Sequence, residues 1–597
     1  MLPPETLYNG ITLGSPWPPR RRYPDEYPIR PPYLAAPPEV IPIDVGRQLF
    51  VDDFLVDHTN LARTWHHPTY HPANPILRPE TPWELSDPVA ERTGRPLNPA
   101  AMVFSDGVFF DPRDRLFKMW YMAGYGAATA LAHSDDGVRW RRPDLGIVAG
   151  TNLVNRDVRD SSTVWLDLDA ADPQSRYKMS IWYDGTLVLY TSPDGVRWTT
   201  IGNSGRVFDR STFFYNPFRK VWVFSLRATQ FDGAISGRYR KYWESPVFGP
   251  TSRTWNDTPP VDWVKADSED WARPGMPSPP ELYNLDCVAY ESVMLGLFST
   301  WRGESHDREK VNEVTVGFSR DGFHWDRSDR QSFMPVAEQP GSWNWANIQS
   351  AGGGCLIVGD LLYFYVSGRQ GDPGTERPGV CSTGLATLRR DGFASMDWLP
   401  QQASVLRTSS GSDGSLTTRP VRFSGSHLFV NADVAGAELR VEVLDRQGRT
   451  IAPFTREACE PVSGGATRMA VRWRTAALAT LAGQDVRFRF WLTGGRLYAF
   501  WVSQWPTGES GGYVAAGGHV AGVRLPAPWR EHDGEVKEAQ AADEIDMPGR
   551  AHGIAHRLRS GDVAAGFAQV GVIAGDPQQR HGATPDSDED CDRCGDH

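Results

Sequence analysis

The chain is poor in cysteine, in basic charge and in long apolar runs. Its 597 residues hold six cysteines, Cys287, Cys355, Cys381, Cys459, Cys591 and Cys594. They are too few and too scattered for a disulfide framework and leave the redox compartment open. No run of 18 apolar residues occurs, which excludes a membrane-spanning helix of ordinary length. The net charge of -11 offers no basic surface to phosphate backbones or anionic lipid, so neither nucleic acid nor membrane is an expected partner. The first residues lack both a basic segment leading into an apolar one and a small-residue cleavage site. No secretory signal is read there, and a cytoplasmic location is expected. Helical periodicity is scarce. In its place stand 23 Trp, 19 Tyr and 26 Phe, in short runs with Val and Thr separated by Asp-Gly, Gly-Gly and Asn-Pro turns. That pattern predicts an all-β protein.

The two ends differ from the middle. Residues 1–40 are dense in proline, carry Arg20 to Arg22 in succession, and read as an extended N-terminal arm. Residues 529–597 turn polar and acidic, and are expected to be a disordered tail. Cys591 and Cys594 form a C-x-x-C there with no second pair to complete a zinc site, so a solvated tail is the reading.

Between the ends the chain repeats. Ser134-Asp-Asp-Gly-Val-Arg-Trp140, Ser192-Pro-Asp-Gly-Val-Arg-Trp198 and Ser319-Arg-Asp-Gly-Phe-His-Trp325 share the pattern S-x-D-G-x-x-W, with 58 and 127 residues between successive starts. The longer gap fits one degenerate copy, between Glu244 and Trp255, and Arg390-Asp-Gly-Phe393 ahead of Trp398 supplies a last, altered one. Asp-Gly provides the positive φ of a tight turn, and the Ser and Asp side chains can bond its amides. An apolar strand lies upstream of each turn, such as Phe117-Lys-Met-Trp-Tyr121. Five such units over residues 41–400 predict a five-bladed β-propeller. The period then breaks. Alternating strands such as Glu438-Leu-Arg-Val-Glu-Val-Leu444 predict a β-sandwich over 401–528.

Ligands of a propeller gather at one mouth of its channel, where the innermost strands begin. The residues read at those starts are Asn98, Asp160, Asp209, Asp286 and Asn347. Three carboxylates from successive blades would then converge, and paired carboxylates are what glycosidic cleavage needs. Glu291, inside an apolar strand, is a fourth acid candidate because a carboxylate there must be paired, exposed or functional. Asn98, Arg210, Arg227, Arg240 and Trp243 are read as substrate-binding groups able to hydrogen-bond and stack on sugars. No calcium loop pattern is present, and no metal or cofactor is expected.

The stretch His71-Pro-Ala-Asn-Pro-Ile-Leu77, then Pro82-Trp-Glu84, Asn98-Pro-Ala and Lys118-Met-Trp-Tyr121 resembles the opening of the five-bladed propeller glycoside hydrolases of the invertase, arabinanase and β-xylosidase kind, families 32 and 43. The resemblance covers about residues 43–525. It implies a hydrolase or transglycosylase acting on an oligo- or polysaccharide, with an Asp in the first blade, an Asp in a middle blade and a Glu as acid. Here Asn98 stands where the first-blade Asp is implied, and no Glu-Cys acid motif occurs. The alternative reading is a propeller that binds glycan without cleaving it.

Overall fold

Strands such as Leu116–Ala123, where Phe117, Met119, Trp120 and Tyr121 are all buried, lie between two neighbouring sheets and bury both faces, which is why they read as near-continuous apolar runs. The computed structural model describes residues 4–20, 28–230, 237–249, 252–276, 278–305, 308, 310–375, 377–398 and 413–516. Five strands form the innermost layer: β1 (Ala101–Asp111), β2 (Ser162–Leu166), β3 (Thr212–Asn216), β4 (Glu281–Glu291) and β5 (Asn347–Ser350). In the first three blades each inner strand opens a four-stranded antiparallel sheet in chain order. Blades 4 and 5 join in one larger sheet through the Asn312–Asn347 pair. The inner strands neighbour one another from β1 to β5 and back to β1, closing a ring. Thr69–Tyr70 supplies the outer strand of blade 5, so an early segment seals the last blade and removes an open edge. The fold is a five-bladed β-propeller.

The repeated turns behave alike. In each, the Ser hydroxyl accepts the Gly amide (Gly137 to Ser134 2.8 Å, Gly195 to Ser192 2.8 Å, Gly322 to Ser319 2.9 Å), and the Asp carboxylate accepts the next two amides. Each turn then docks on the preceding blade. Trp120 donates to the Gly195 carbonyl at 2.8 Å, Tyr365 to that of Gly137 at 2.7 Å, and Trp263 to that of Phe323 at 2.7 Å. The motif therefore sets the angle between blades as well as the turn. Gly195 has φ +76°, and a Cβ there would lie 2.5 Å from the Trp120 ring. Gly195→Ala is expected to lower stability by about 1–3 kcal/mol from the backbone alone, read as a lower urea midpoint. The degenerate copy in blade 3 has become a short helix, Ser252–Asp257.

A second sheet runs in the order Val56–Thr59, Gly414–Thr418, Arg487–Leu492, His427–Leu444, Gly495–Ser503, Ala394–Trp398 and Ala62–Trp65. It folds round its own core, which includes Phe50, Phe54, Leu416, Val441, Phe488, Phe490 and Phe500. Three boundaries read from sequence need correction. The strands within residues 41–65 pair with this sheet rather than with a blade, although Leu49 and Val51 pack into the propeller core, and the strand that ends at Trp398 pairs with it too. The N-terminal arm is not free of the core: Leu7, Ile11, Leu13 and Tyr33 are buried in it. The expected tail lies outside the described residues, as do Cys591 and Cys594. Among the described residues no helix is long and apolar enough to cross a membrane.

Candidate active site

β1 is irregular where it matters. Its pairing with Leu116–Ala123 breaks between Met102 and Gly107, and Ser105 inside the break has a left-handed backbone, φ 62°. Asp106 is tied down by Arg159, whose two terminal nitrogens donate at 2.5 and 3.0 Å. The Ser105 hydroxyl is left to work across the channel. It donates to Asp286 Oδ2 at 3.0 Å and accepts from Asn284 Nδ2 at 2.9 Å and Arg210 Nη2 at 3.1 Å. Asn284 and Asp286 stand two apart on β4 and therefore face the same way.

Asp286 is the centre of this arrangement. Ser105 of blade 1, Asn284 of blade 4 at 2.9 Å and Ser350 of blade 5 at 2.6 Å all donate to its Oδ2, while Oδ1 takes no donor among the described residues. The residue is 4% exposed. Burial pushes its pKa above the ordinary carboxylate value; Arg210 and the three donors pull it back without restoring it. Arg210 is fully buried, has φ 53°, lies over the Phe104 ring at 3.7 Å and holds its amide on Ser161 Oγ. It interacts electrostatically with both Asp286 and Asp160. Two non-glycine residues in left-handed conformation, Ser105 and Arg210, thus meet by a side-chain hydrogen bond beside the acid. Strain held in this way is found where surrounding structure fixes a functional geometry.

Asp160 precedes β2, with its amide donating to the Trp182 carbonyl at 3.2 Å. Asp209 precedes β3 and is ion-paired to Arg227, which also interacts with Asp160. Asp160 thus lies within electrostatic reach of both arginines, Asp286 within that of Arg210, and Asp209 is paired with Arg227. One oxygen each of Asp160, Asp209 and Asn284, with Nε of Arg210 and Arg227, is buried without a hydrogen-bond partner among the described residues. Buried polar atoms are rarely left so, and a cluster of them at one channel mouth is suited to ordered water or a polar ligand.

The other candidates fare differently. Asp286 does not stand at a strand start: β4 begins at Glu281, and the apolar run from Cys287 that set the reading is only its second half. Glu291 is at the far end of that strand, fully buried and bonded to Arg47, Arg390 and Ser510. It is a structural carboxylate, not a member of the site. Trp243 is core, packed edge-to-face against Phe224 and Trp255 with its indole N–H on Thr258. Arg240 is fully buried and donates to Ser225 Oγ and to the carbonyls of Tyr283, Arg210 and Ser225, so it braces blade 3 instead of meeting substrate. Asn98 gives its amide N–H to Asp87 at 2.9 Å, and its buried Oδ1 has no partner among the described residues. Asn347 heads β5, with its Nδ2 on the Lys310 carbonyl. Ser105, Asn284 and Ser350 were missed. The polar Ser105-Asp106 pair inside the apolar run 100–110, and Asn284 spaced two from Asp286, were the available signals. A separate groove of about 940 Å³ on blade 4, lined by Trp271, Arg273, Arg308 and Glu338, contains none of these carboxylates.

No family model and no curated protein matches this chain. Solved structures to which it is similar include an N-acetylgalactosamine deacetylase from F. plautii in complex with blood group B trisaccharide, at 14% identity over 59% of this chain and 97% of that one, TM-score 0.35. Another is an exo-β-1,3-galactanase from Phanerochaete chrysosporium with galactose, at 12% identity over 71% and 99%, TM-score 0.30. A third is a thermostable family-43 glycoside hydrolase, at 11% identity over 50% and 94%, TM-score 0.34.

The raised pKa of Asp286 has a consequence for stability. The folded protein holds this proton more tightly than the unfolded chain, so the associated stability is full below the ordinary carboxylate range and is lost as pH rises through the raised value. Asp286→Asn is expected to match the parent in stability at acid pH and to exceed it at neutral pH. Thermal unfolding across pH checks this; a variant less stable at neutral pH would contradict it.

Proposed function

We propose that the protein is a glycoside hydrolase whose chemistry runs on Asp286 and Asp160, with Asp209 and Arg227 holding the second carboxylate in place. The observation that carries this is Asp286: a carboxyl biased toward its protonated form, pinned through one oxygen by three blades, and sharing the electrostatic neighbourhood of Arg210 with Asp160. A carboxyl whose surroundings favour its protonated form is suited to act as a general acid. Asp286 gives its proton to the glycosidic oxygen as the C–O bond breaks, and the leaving sugar departs as an alcohol. The Asp160 carboxylate serves the anomeric carbon, by direct attack or by taking a proton from the attacking water. The pair's separation in the bound complex sets which, and with it the stereochemistry. Arg210 and Ser105 are positioning residues that act through Asp286.

The test is sugar release from fructans, arabinans, xylans, galactans and aryl glycosides by the purified full chain, with Asp160→Asn alongside. Release by the parent, reduced by about 10²-fold or more in the variant, is expected. Silence on every substrate, with retention of the protein on one of the same glycans, would instead assign the channel to glycan binding.

A further inference from the structure

We infer that the rim of blades 2 and 3 carries an aromatic sugar-binding platform, built from Tyr183 and Phe208, that extends the site along a polysaccharide chain. This rests on the carboxylate site proposed above and adds to it a substrate class: a glycan long enough to reach beyond the channel mouth.

Among the described residues, the two most exposed aromatic residues are Tyr183 at 55% and Phe208 at 53%, and they belong to neighbouring turns. Val158, half exposed, lies close by in sequence to Asp160. The two turns are fastened to each other: the Val207 amide donates to the Gly185 carbonyl at 2.8 Å, and the Trp182 indole N–H to the Val207 carbonyl at 3.1 Å. Both are fastened to the carboxylates. Tyr183 follows Trp182, whose carbonyl accepts the Asp160 amide, and Phe208 directly precedes Asp209. The Arg227 guanidinium, paired with Asp209, lies 5.5 Å from the Phe208 ring centre. The rings are thus held on a rigid edge by backbone bonds, not left to collapse into the core.

Apolar surface held out in water next to a polar site asks for an occupant that is apolar on one side and polar on the other. A sugar ring is such an occupant: its C–H face lies on an aromatic ring while its hydroxyls reach the carboxylates and guanidinium beside it. Continuity with Asp160 and Asp209 points to a further residue of the same glycan rather than to a separate ligand.

The test uses the full chain carrying Asp286→Asn, so that polysaccharide survives, in affinity electrophoresis through gels containing soluble arabinan, xylan, fructan or galactan. Retardation by at least one is expected. Adding Tyr183→Ala and Phe208→Ala should weaken it roughly tenfold, while Tyr183→Trp with Phe208→Trp restores it. Unfolding temperature, read on the same variants, separates lost stacking from lost fold, because the Trp pair must recover binding. Equal retardation of parent and double alanine variant would overturn the platform. So would a parent that no glycan retards, including one that runs as a dimer dissociated by the same substitutions, which would give the rim to a second copy. Turnover of short aryl glycosides by the unsubstituted protein reads the carboxylates independently. Turnover without retardation removes the platform alone, and platform-dependent retardation without turnover removes the hydrolase alone.

Discussion

Asp286→Asn is expected to lower kcat on an unactivated glycoside by about 10²–10⁴-fold, the range associated with loss of a general acid. The exchange is nearly isosteric. The carbonyl oxygen of asparagine can take the place of Oδ2 on Ser105, Asn284 and Ser350, and only the proton for the leaving group disappears. Because burial raises the Asp286 pKa, activity of the parent should fall on the alkaline side of a value above the ordinary carboxylate range, as the acid loses its proton. Arg210→Lys bears on the same limb. A lysine keeps the charge but cannot keep a planar guanidinium on Phe104 and two donors on Phe104 O and Ser105 Oγ. The alkaline limb should therefore move in that variant with kcat changed more than KM. A purely structural arginine would alter stability and leave the limb in place.

Arg47→Ala is expected to destabilise the protein by about 3–5 kcal/mol, the cost of leaving buried charge without its partner. Arg47, Glu291 and Asp391 are all fully buried. Arg47 donates through Nη1 to Asp391 and to the Thr467 carbonyl at 2.8 Å each, approaches Glu291 at 3.6 Å, and lies 4.1 Å from the Trp501 ring. Arg390 donates to Glu291 at 2.9 Å, and Asn431 and Tyr290 donate to Asp391 at 2.9 and 2.5 Å. These residues come from the end of β4, from the chain after blade 5 and from the second sheet, so the network is the joint between propeller and sheet. For Asp391 burial alone would raise the pKa, and Arg47 and Arg390, with the Asn431 and Tyr290 hydrogen bonds, more than reverse this. A depressed folded pKa contributes stability above the ordinary carboxylate range that is lost as pH falls through the folded value. The deficit of Arg47→Ala, measured by urea unfolding, should accordingly shrink in acid. Adding Asp391→Asn should recover part of it at neutral pH, because the second change removes the charge that the first left unpaired.

The parts legible in the sequence are those encoded locally. The S-x-D-G-x-x-W turns could be counted because Ser accepts the Gly amide and Asp the next two amides, all within four residues. Asp160 and Asp209 read as strand starts because each stands just ahead of a short run of strand-forming residues, Ser-Ser-Thr-Val-Trp-Leu and Arg-Ser-Thr-Phe-Phe-Tyr. Asp286 was found through the wrong register: its strand begins with mixed residues, Glu281 to Leu285, whose Asn284 faces the channel and so looks like loop. Glu291 shows the converse. A carboxylate in an apolar strand must be partnered, and its partners Arg47, Arg390 and Ser510 lie some 100 to 240 residues away, beyond any spacing rule. The same distance hides the pairing of Gln48–Leu49 and Ala62–Trp65 with the second sheet, and the closure of blade 5 by Thr69–Tyr70. Trp243 illustrates a different limit. Its residue type suits both stacking on sugar and packing in a core, and only the burial of the third blade strand decides between them.

The central claim is that Asp286 protonates the leaving group. Its most direct test is to compare the parent and Asp286→Asn on a pair of glycosides of one sugar, a simple alkyl glycoside and a 2,4-dinitrophenyl glycoside. The alkyl alcohol cannot leave without a proton, whereas dinitrophenolate needs none. A loss of about 10²–10⁴-fold on the alkyl glycoside, with little or none on the dinitrophenyl one, is the predicted result. Equal loss on both would show that Asp286 has another role, and the assignment of the acid would fall.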